Sequence, residues 1–237
     1  MSRWEPLLAV QEHDTTADQL EHRRRTHPAR AELEAAMDEL ASLAGAAAEV
    51  EAQHKDLTRV QQRLEDEISS LRAKAEQHDR TLYSGSIGNP RELQALQDEI
   101  GALQRRASQL EDQELEVMEQ LEPVERRLAA LARQRDELDE QAAGLRAQIA
   151  EAEVDIDAEL ARVRSEREAL AATAEPELLA EYEQLRPRTG GVAIARLVNG
   201  HCGGCHLALS AVELDRIKRL PQDDLVHCEE CGRLLAR

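Results

Sequence analysis

Four cysteines, Cys202, Cys205, Cys228 and Cys231, are the only ones in this 237-residue chain. They fall in two Cys-x-x-Cys pairs with 22 residues between them. Such a turn aims two sulfurs at one point, and two turns supply the four thiolates of a tetrahedral Zn²⁺ site. Gly203 and Gly204 inside the first pair and Gly232 just after the second suit tight turns. Four protein ligands close the coordination sphere, so the expected ion is one structural zinc with no open position for catalysis. Iron in the same sulfur cage is distinguished by metal availability and not by spacing. His201, His206 and His227 flank the pairs and are read as neighbours of a set that is already complete.

The elements around the cysteines fit a ribbon. Ser210 with Glu213 forms a capping box ahead of "AVELDRIKRL", a short helix with Val212, Leu214 and Ile217 available for packing; Pro221 ends it. "VAIARLV" (192–198), "LVHCE" (225–229) and "RLLAR" (233–237) read as short strands. Together they predict a three-stranded zinc ribbon with a helix inserted between the knuckles. So few apolar residues hardly hold such a unit alone, so metal is expected to be required for its fold. Upstream, "TAEPELLAEYEQLR" (173–186) reads as a neck helix with Thr173 as its cap, and "PRTGG" (187–191) as a turn.

The first 175 residues have a different texture. From Leu33 to His78 two rows of apolar positions repeat every seven residues, offset by three, and from Leu93 to Leu170 a second block does the same. These are the a and d rows of a coiled coil. Between the blocks lies "YSGSIGNPRE", where Asn89, Pro90 and Glu92 form a helix start after a glycine-broken turn. The chain therefore predicts an antiparallel hairpin. The expected register sets Ile68 against Leu103, Leu71 against Ile100, Leu64 against Ala107 and Leu43 against Leu128, with Pro28 near Gly144 and Pro123 near Ala46–Ala48 as kinks or breaks. It brings the N-terminus near residue 170. About 80 helical residues per arm give a rod on the order of 120 Å. His54, Gln61, Glu114 and Arg135 interrupt the seam and are read as register control.

Composition agrees. The chain has no Phe, one Trp and two Tyr, whereas Ala, Leu, Glu, Arg and Gln dominate, the mix of long helices. Its net charge is −18. Residues 176–237 hold 8 basic and 9 acidic side chains, so nearly all the negative charge lies on the coiled coil. That rod repels phosphate backbones. No apolar run is long enough for a signal peptide or a membrane span, so the expected compartment is the cytoplasm, where thiols stay reduced, and no membrane partner is expected.

No P-loop, dinucleotide fingerprint, His-Glu-x-x-His or nucleophile elbow is present, so neither catalysis nor a small-molecule substrate is expected. Two binding surfaces are. One is a basic face around the ribbon: Arg186, Arg188 and Arg196 before the first knuckle, Arg216, Lys218 and Arg219 on the inserted helix, and Arg233 and Arg237 after the second knuckle. It would meet nucleic acid, with Tyr182 the only aromatic nearby for stacking. The other is the tip loop, residues 83–89, where Tyr83 and Ile87 would meet a protein.

The hairpin-tip stretch "YSGSIGNPRELQALQDEI", the first knuckle "GGVAIARLVNGHCGGCHLALS" and the second, "CEECGRLL", resemble a bacterial family of coiled-coil proteins with a C-terminal C4-type zinc ribbon, long catalogued as a domain of unknown function. The resemblance covers the whole chain. It implies zinc binding by Cys202, Cys205, Cys228 and Cys231, and binding of nucleic acid or a regulatory protein. Relatives in flagellated bacteria are linked to flagellar gene expression through a sigma factor and messenger RNA, a role that no residue of this chain carries by itself. The expected fold is thus mainly α: a long antiparallel helical-hairpin coiled coil, residues 1–175, then a neck helix and a small α+β zinc ribbon of the four-cysteine type, residues 176–237. The expected function is a non-enzymatic zinc-binding adaptor for RNA or DNA; the alternative is a protein-protein scaffold or chaperone of a regulatory protein. The heptads leave the oligomeric state open.

Overall fold

The structure, a computed structural model, describes residues 3–221 and 224–237. The chain adopts the expected fold, a long helical hairpin followed by a small ribbon. Its contacts gather residues 32–144 into one compact unit and residues 1–31 with 145–237 into another. The sequence boundary at 175 thus falls inside the second unit.

Helices α2 (Pro28–Tyr83) and α3 (Pro90–Ala171) supply the two arms of the hairpin unit. Every buried residue of that unit lies on the heptad rows: Ala36, Val50, Ile68 and Ala75 on α2, and Ile100, Ala107, Leu110, Leu121, Val124 and Ala142 on α3. Helix α3 runs unbroken through Pro123, which the sequence marks as a kink, and Leu121 and Val124 stay buried on either side of it. At Pro28 the expected break is present: the preceding helix ends at Arg25 and Pro28 starts the next.

The register differs from expectation by one heptad. Leu71 and Ala75 share a cleft with Leu103 and Ala107, so Ala107, not Ile100, lies by Leu71. Across the pair, Arg72 bonds Glu111 at 2.8 Å, Arg106 bonds Glu67 at 3.4 Å and His54 meets Glu125 at 3.5 Å. Each partner sits further along α3 than the expected register places it. Ala47 shares a cleft with Leu128 and Leu131 and does not face Pro123. A one-heptad slip still sets a rows over d rows, so periodicity alone cannot tell the two registers apart; the tip turn and the cross-helix ion pairs select one. Of the polar seam residues, His54 keeps 35% side-chain exposure beside Glu125 and Arg135 pairs with its neighbour Asp136 at 2.6 Å. They enclose no buried site.

At the tip, the Asn89 side chain accepts from the Arg91 amide at 3.0 Å and donates to Glu92 at 3.3 Å. Ser84 and Ser86 hydroxyls meet at 2.7 Å. Asn89 thus caps the second arm as expected, and Glu92 closes on the Asn89 side chain.

The second unit is made from both ends of the sequence. Helix α1 (Glu5–Arg25) lies against the base of α3, where Leu20 packs with Ile156, Leu160 and Val163. Leu160 is off the heptad rows. An ideal helix drifts about 20° per heptad, and here the seam has moved by one position. Helix α4 (Pro176–Leu185) follows, its expected cap Thr173 bonding instead to the Leu170 carbonyl at 2.7 Å and so closing α3. Strand β1 (Ile194–Val198) is central in a three-stranded sheet, antiparallel to β2 (His201–Cys202) and parallel to β3 (Leu234–Ala236). Of "LVHCE" only a single bridge forms, His227 to Leu234. Helix α5 (Ala211–Arg219) is capped by Ser210, which accepts from the Glu213 amide. Ile217 is buried beneath it, but Val212 is 81% exposed.

One apolar core joins Trp4, Leu7 and Val10 of the N-terminal segment to Leu178 and Tyr182 of α4 and to Ala193, Ile194, Leu234 and Ala236 of the ribbon. Gln11 acts as an extra strand: its side chain accepts from the Ala193 and Ile194 amides at 2.7 and 2.8 Å and donates to the Ile194 carbonyl at 2.8 Å. Asp14, a buried acid, accepts from the Tyr182 hydroxyl at 2.8 Å and from Arg167 at 3.2 Å. Burial, reinforced by that bond, pushes the Tyr182 phenol well above its ordinary pKa.

Candidate metal centre

The two knuckles have matching backbones. In the first, the Cys202 amide donates to the Leu207 carbonyl at 3.0 Å and the His206 amide to the Cys202 carbonyl at 2.8 Å. In the second, the Cys228 amide donates to the Arg233 carbonyl and the Gly232 amide to the Cys228 carbonyl, both at 2.8 Å. Such loops close through a left-handed residue at the fourth position after the first cysteine. Gly232 takes φ 71° there, and His206 takes φ 61°, a conformation that glycine adopts freely and that histidine enters more readily than most side chains. A second left-handed pair, Asn199 and Gly200, forms the turn between β1 and β2. An Asn-Gly pair is a strong hairpin signal, and it went unused in the sequence reading.

These loops bring the four sulfurs within 4.8 Å of one another. Cys202 Sγ lies 3.8 Å from Cys231 Sγ, and Cys205 Sγ lies 3.8 Å from Cys228 Sγ. A Zn–S bond of about 2.3 Å in a regular tetrahedron gives a sulfur-sulfur edge of about 3.8 Å. The donor set thus fits zinc in type, number and spacing, and the chain carries one structural zinc ion. No histidine joins the group among the described residues. His201 meets the Asn199 carbonyl at 3.0 Å, and His227 meets Glu181 of α4 at 3.1 Å.

Without metal, four thiols at this spacing resist ionising together. Burial pushes the Cys228 thiol up to about 12. At Cys231 burial acts the same way, but hydrogen bonds from Arg233 and from the neighbouring cysteines outweigh it and bring the thiol down to about 7. Zinc reverses the balance by taking all four as thiolates, so binding releases protons. Cys202 and Cys228 also belong to the ribbon's apolar core with Ala195, Ile217, Val226 and Leu235. Metal and core are one construction.

The cations predicted around the ribbon are mostly engaged within the chain. Arg196 clasps Glu5 at 3.0 and 2.9 Å. Arg186 bonds Asp18 at 2.7 Å, Arg216 grips Glu213 and Arg219 pairs with Asp215. Arg233 donates to the Val192 and Thr189 carbonyls, and Arg237 to the Ile217 and Leu220 carbonyls. Arg188 and Lys218, both exposed, have no partner among the described residues. Tyr182, the expected stacking platform, is fully buried. At the tip Tyr83 is 80% exposed and Ile87 half-buried. The sequence reading missed the N-terminal helix as a wall of the ribbon; the signal was "RWEPLLAVQ", with Pro6 in a first helical turn and Trp4, Leu7 and Val10 on one face.

Comparison with known proteins agrees with this architecture. Residues 10–190 match the model of the CT398-like coiled coil hairpin domain, and residues 201–235 match that of a C4-type zinc ribbon domain. An uncharacterized protein of Mycobacterium tuberculosis is 34% identical over 98% of this chain and 94% of its own length. One of Mycobacterium leprae is 30% identical over 72% of this chain and 73% of its own. A solved structure from Mycobacterium smegmatis superposes with a TM-score of 0.87 at 28% identity, covering 99% of this chain and 97% of that one. CT398 from Chlamydia trachomatis gives 0.73 at 24% identity, over 98% and 96%, a likeness of fold. With one coiled-coil hairpin model spanning most of its length and a four-cysteine ribbon closing it, this chain belongs to the CT398-like coiled-coil hairpin family with a C4-type zinc ribbon.

Proposed function

We infer that this protein is a non-enzymatic adaptor whose partner is another protein, with zinc holding the ribbon in shape and the hairpin presenting the contact surface. The observation that supports this reading is the state of the cations near the ribbon. Most of those that would meet a phosphate backbone already meet a carboxylate or carbonyl of the same chain, so a nucleic acid would have to displace those partners first. Nonspecific phosphate binding rests on such cations, and Arg188 and Lys218 are few for the purpose. The exposed apolar side chains point the same way: Tyr83 at the tip, and Val198, Leu207 and Val212 on the ribbon, the last 81% exposed.

The test is a pair of measurements on zinc-loaded protein. Labelled RNA and duplex DNA are titrated across a salt series, and a photo-cross-linking residue is placed at Tyr83 or Val212 in living cells. The reading expects no saturable nucleic-acid binding near 0.15 M salt, roughly physiological, and a discrete protein adduct from at least one position. Saturable binding of RNA or DNA at that salt, lost on chelation or in an Arg188→Ala, Lys218→Ala double variant, would replace it with the nucleic-acid reading.

A further inference from the structure

The hairpin has a stretch where neither helix closes its core. Between Ala36 and Val50 on α2 no residue is buried, and the same holds between Val124 and Ala142 on α3, all of them described residues. In the observed register these stretches face one another. Ala47, Leu128 and Leu131 share their walls with Leu40 and Leu43, around a cleft of about 560 Å³. Small side chains cause it. "AGAAA" (44–48) and "AALA" (129–132) place little bulk between the leucines, which stay half-covered. Met37, one turn before Leu40, is 45% exposed. Two helices bury a core best when large side chains interdigitate; here the geometry is that of a bundle with room for one more helix.

The α2 edge has one sign. From residue 32 to residue 54 there is no Lys or Arg, and there are six carboxylates, Glu32, Glu34, Asp38, Glu39, Glu49 and Glu51. The facing edge of α3 is mixed: Arg126, Arg127, Arg133 and Arg135 stand with Glu125, Asp136, Glu137, Asp139 and Glu140, and Arg135 is paired with Asp136. The surroundings of the apolar floor are thus acidic in sum, and the negative charge lies on the α2 side, which disfavours nucleic acid. The approach of a second copy of this chain, itself at a net −18, is opposed overall.

We propose that this groove is a docking site for an amphipathic helix of a partner protein, with an apolar face at i, i+3/i+4, i+7 spacing and Lys or Arg along the flank that meets α2. The proposal rests on the protein-adaptor reading and gives that reading a location and a partner chemistry. Helix-in-groove recognition divides the work in this way: apolar anchors fill the gap and flanking charges set orientation and on-rate. The uncovered stretch of about 13 residues spans roughly 20 Å, or three to four helical turns.

The probe is a fluorescein-labelled 14-residue Leu/Lys peptide with that spacing, together with a twin in which every Lys is Glu. Binding to the full-length, zinc-loaded protein is read by anisotropy, and a photo-reactive residue in the peptide maps the contact. The expected result is saturable binding of the Lys peptide, at least tenfold tighter than the Glu twin and weakened by salt, with cross-links in 37–51 or 128–141. Ala44→Leu with Ala132→Leu fills the groove with good helix formers and should lower affinity at least tenfold, while circular dichroism and Trp4 emission stay as in the parent. Equal binding of both peptides, unchanged affinity in the filled variant, or cross-links elsewhere would overturn the proposal. So would a dimer in sedimentation that the filled variant abolishes, which would assign the groove to a second copy. If tip or ribbon cross-links capture a protein while the peptide ignores the groove, the adaptor reading stands and the groove falls. If RNA binds at physiological salt while the groove works, the adaptor reading falls and the groove stands.

Discussion

Replacing Gln11 by Ala should destabilise a ribbon that lies about 180 residues away in sequence. The wild-type side chain makes three hydrogen bonds to the backbone of Ala193 and Ile194, at 2.7 to 2.8 Å. A net worth of about 0.5 to 1.5 kcal/mol each gives a range of about 1.5 to 4.5 kcal/mol. The site is part-buried, so water recovers some of the loss, and about 2 kcal/mol is the expected figure. The chain's one tryptophan, Trp4, sits 2% exposed in the same core, so its emission during urea unfolding reports on this unit and not on the hairpin. The control is Gln62→Ala, which removes an exposed bond to Asp66 on α2 and should leave the Trp4 transition unmoved. Cobalt(II) in place of zinc would check by its thiolate charge-transfer bands that the metal site is intact at the start. A Gln11→Ala loss below about 0.5 kcal/mol, the usual size of a neutral surface change, would refute the claim that α1 serves as a strand for β1.

Chelating the zinc, or replacing Cys228 by Ser, should shift Trp4 emission to the red, because Trp4 shares a core with Ile194 and Leu234, while far-ultraviolet circular dichroism keeps most of its helix signal. Leu7→Ala, at a position with 0% exposure, should cost about 2 to 5 kcal/mol in the same Trp4-detected transition. Asn89→Ala removes the cap of α3 and should cost about 1 kcal/mol in hairpin unfolding followed by circular dichroism. Tyr182 holds its proton longer folded than unfolded. That contribution is therefore fully present below the unfolded pKa of about 10 and is lost as pH rises toward the folded value; Tyr182→Phe should flatten the alkaline limb of a stability-pH curve while weakening the protein near neutrality through the lost bond to Asp14.

The hairpin was legible because one physical rule, burial every 3.5 residues, repeats often enough to average out exceptions such as His54 and Arg135. The metal site was legible because chemistry fixes both ligand type and spacing. The register was not, since a seven-residue slip keeps every apolar row facing an apolar row and only contacts such as Arg72 with Glu111 separate the choices. The role of α1 was not legible either. Trp4, Leu7 and Val10 announce a buried face, but nothing local says that the face belongs to Ile194 and Leu234 rather than to the coiled coil. The pairing of the basic face was not legible for a related reason: Arg196 and Arg186 are charges in the sequence, and only the fold supplies Glu5 and Asp18 to meet them. "LVHCE" has strand composition, yet the zinc knuckle bends it after one bridge.

The core that joins the N-terminal helix to the ribbon also imposes an order in time. A ribosome adding roughly 5 to 20 residues per second needs on the order of 10 to 40 s to travel from Val10 to Ile194. Through that interval Trp4, Leu7 and Val10 have been made without the strands they pack against. The nascent chain therefore exposes this small apolar face until β3 has been made and can close over it.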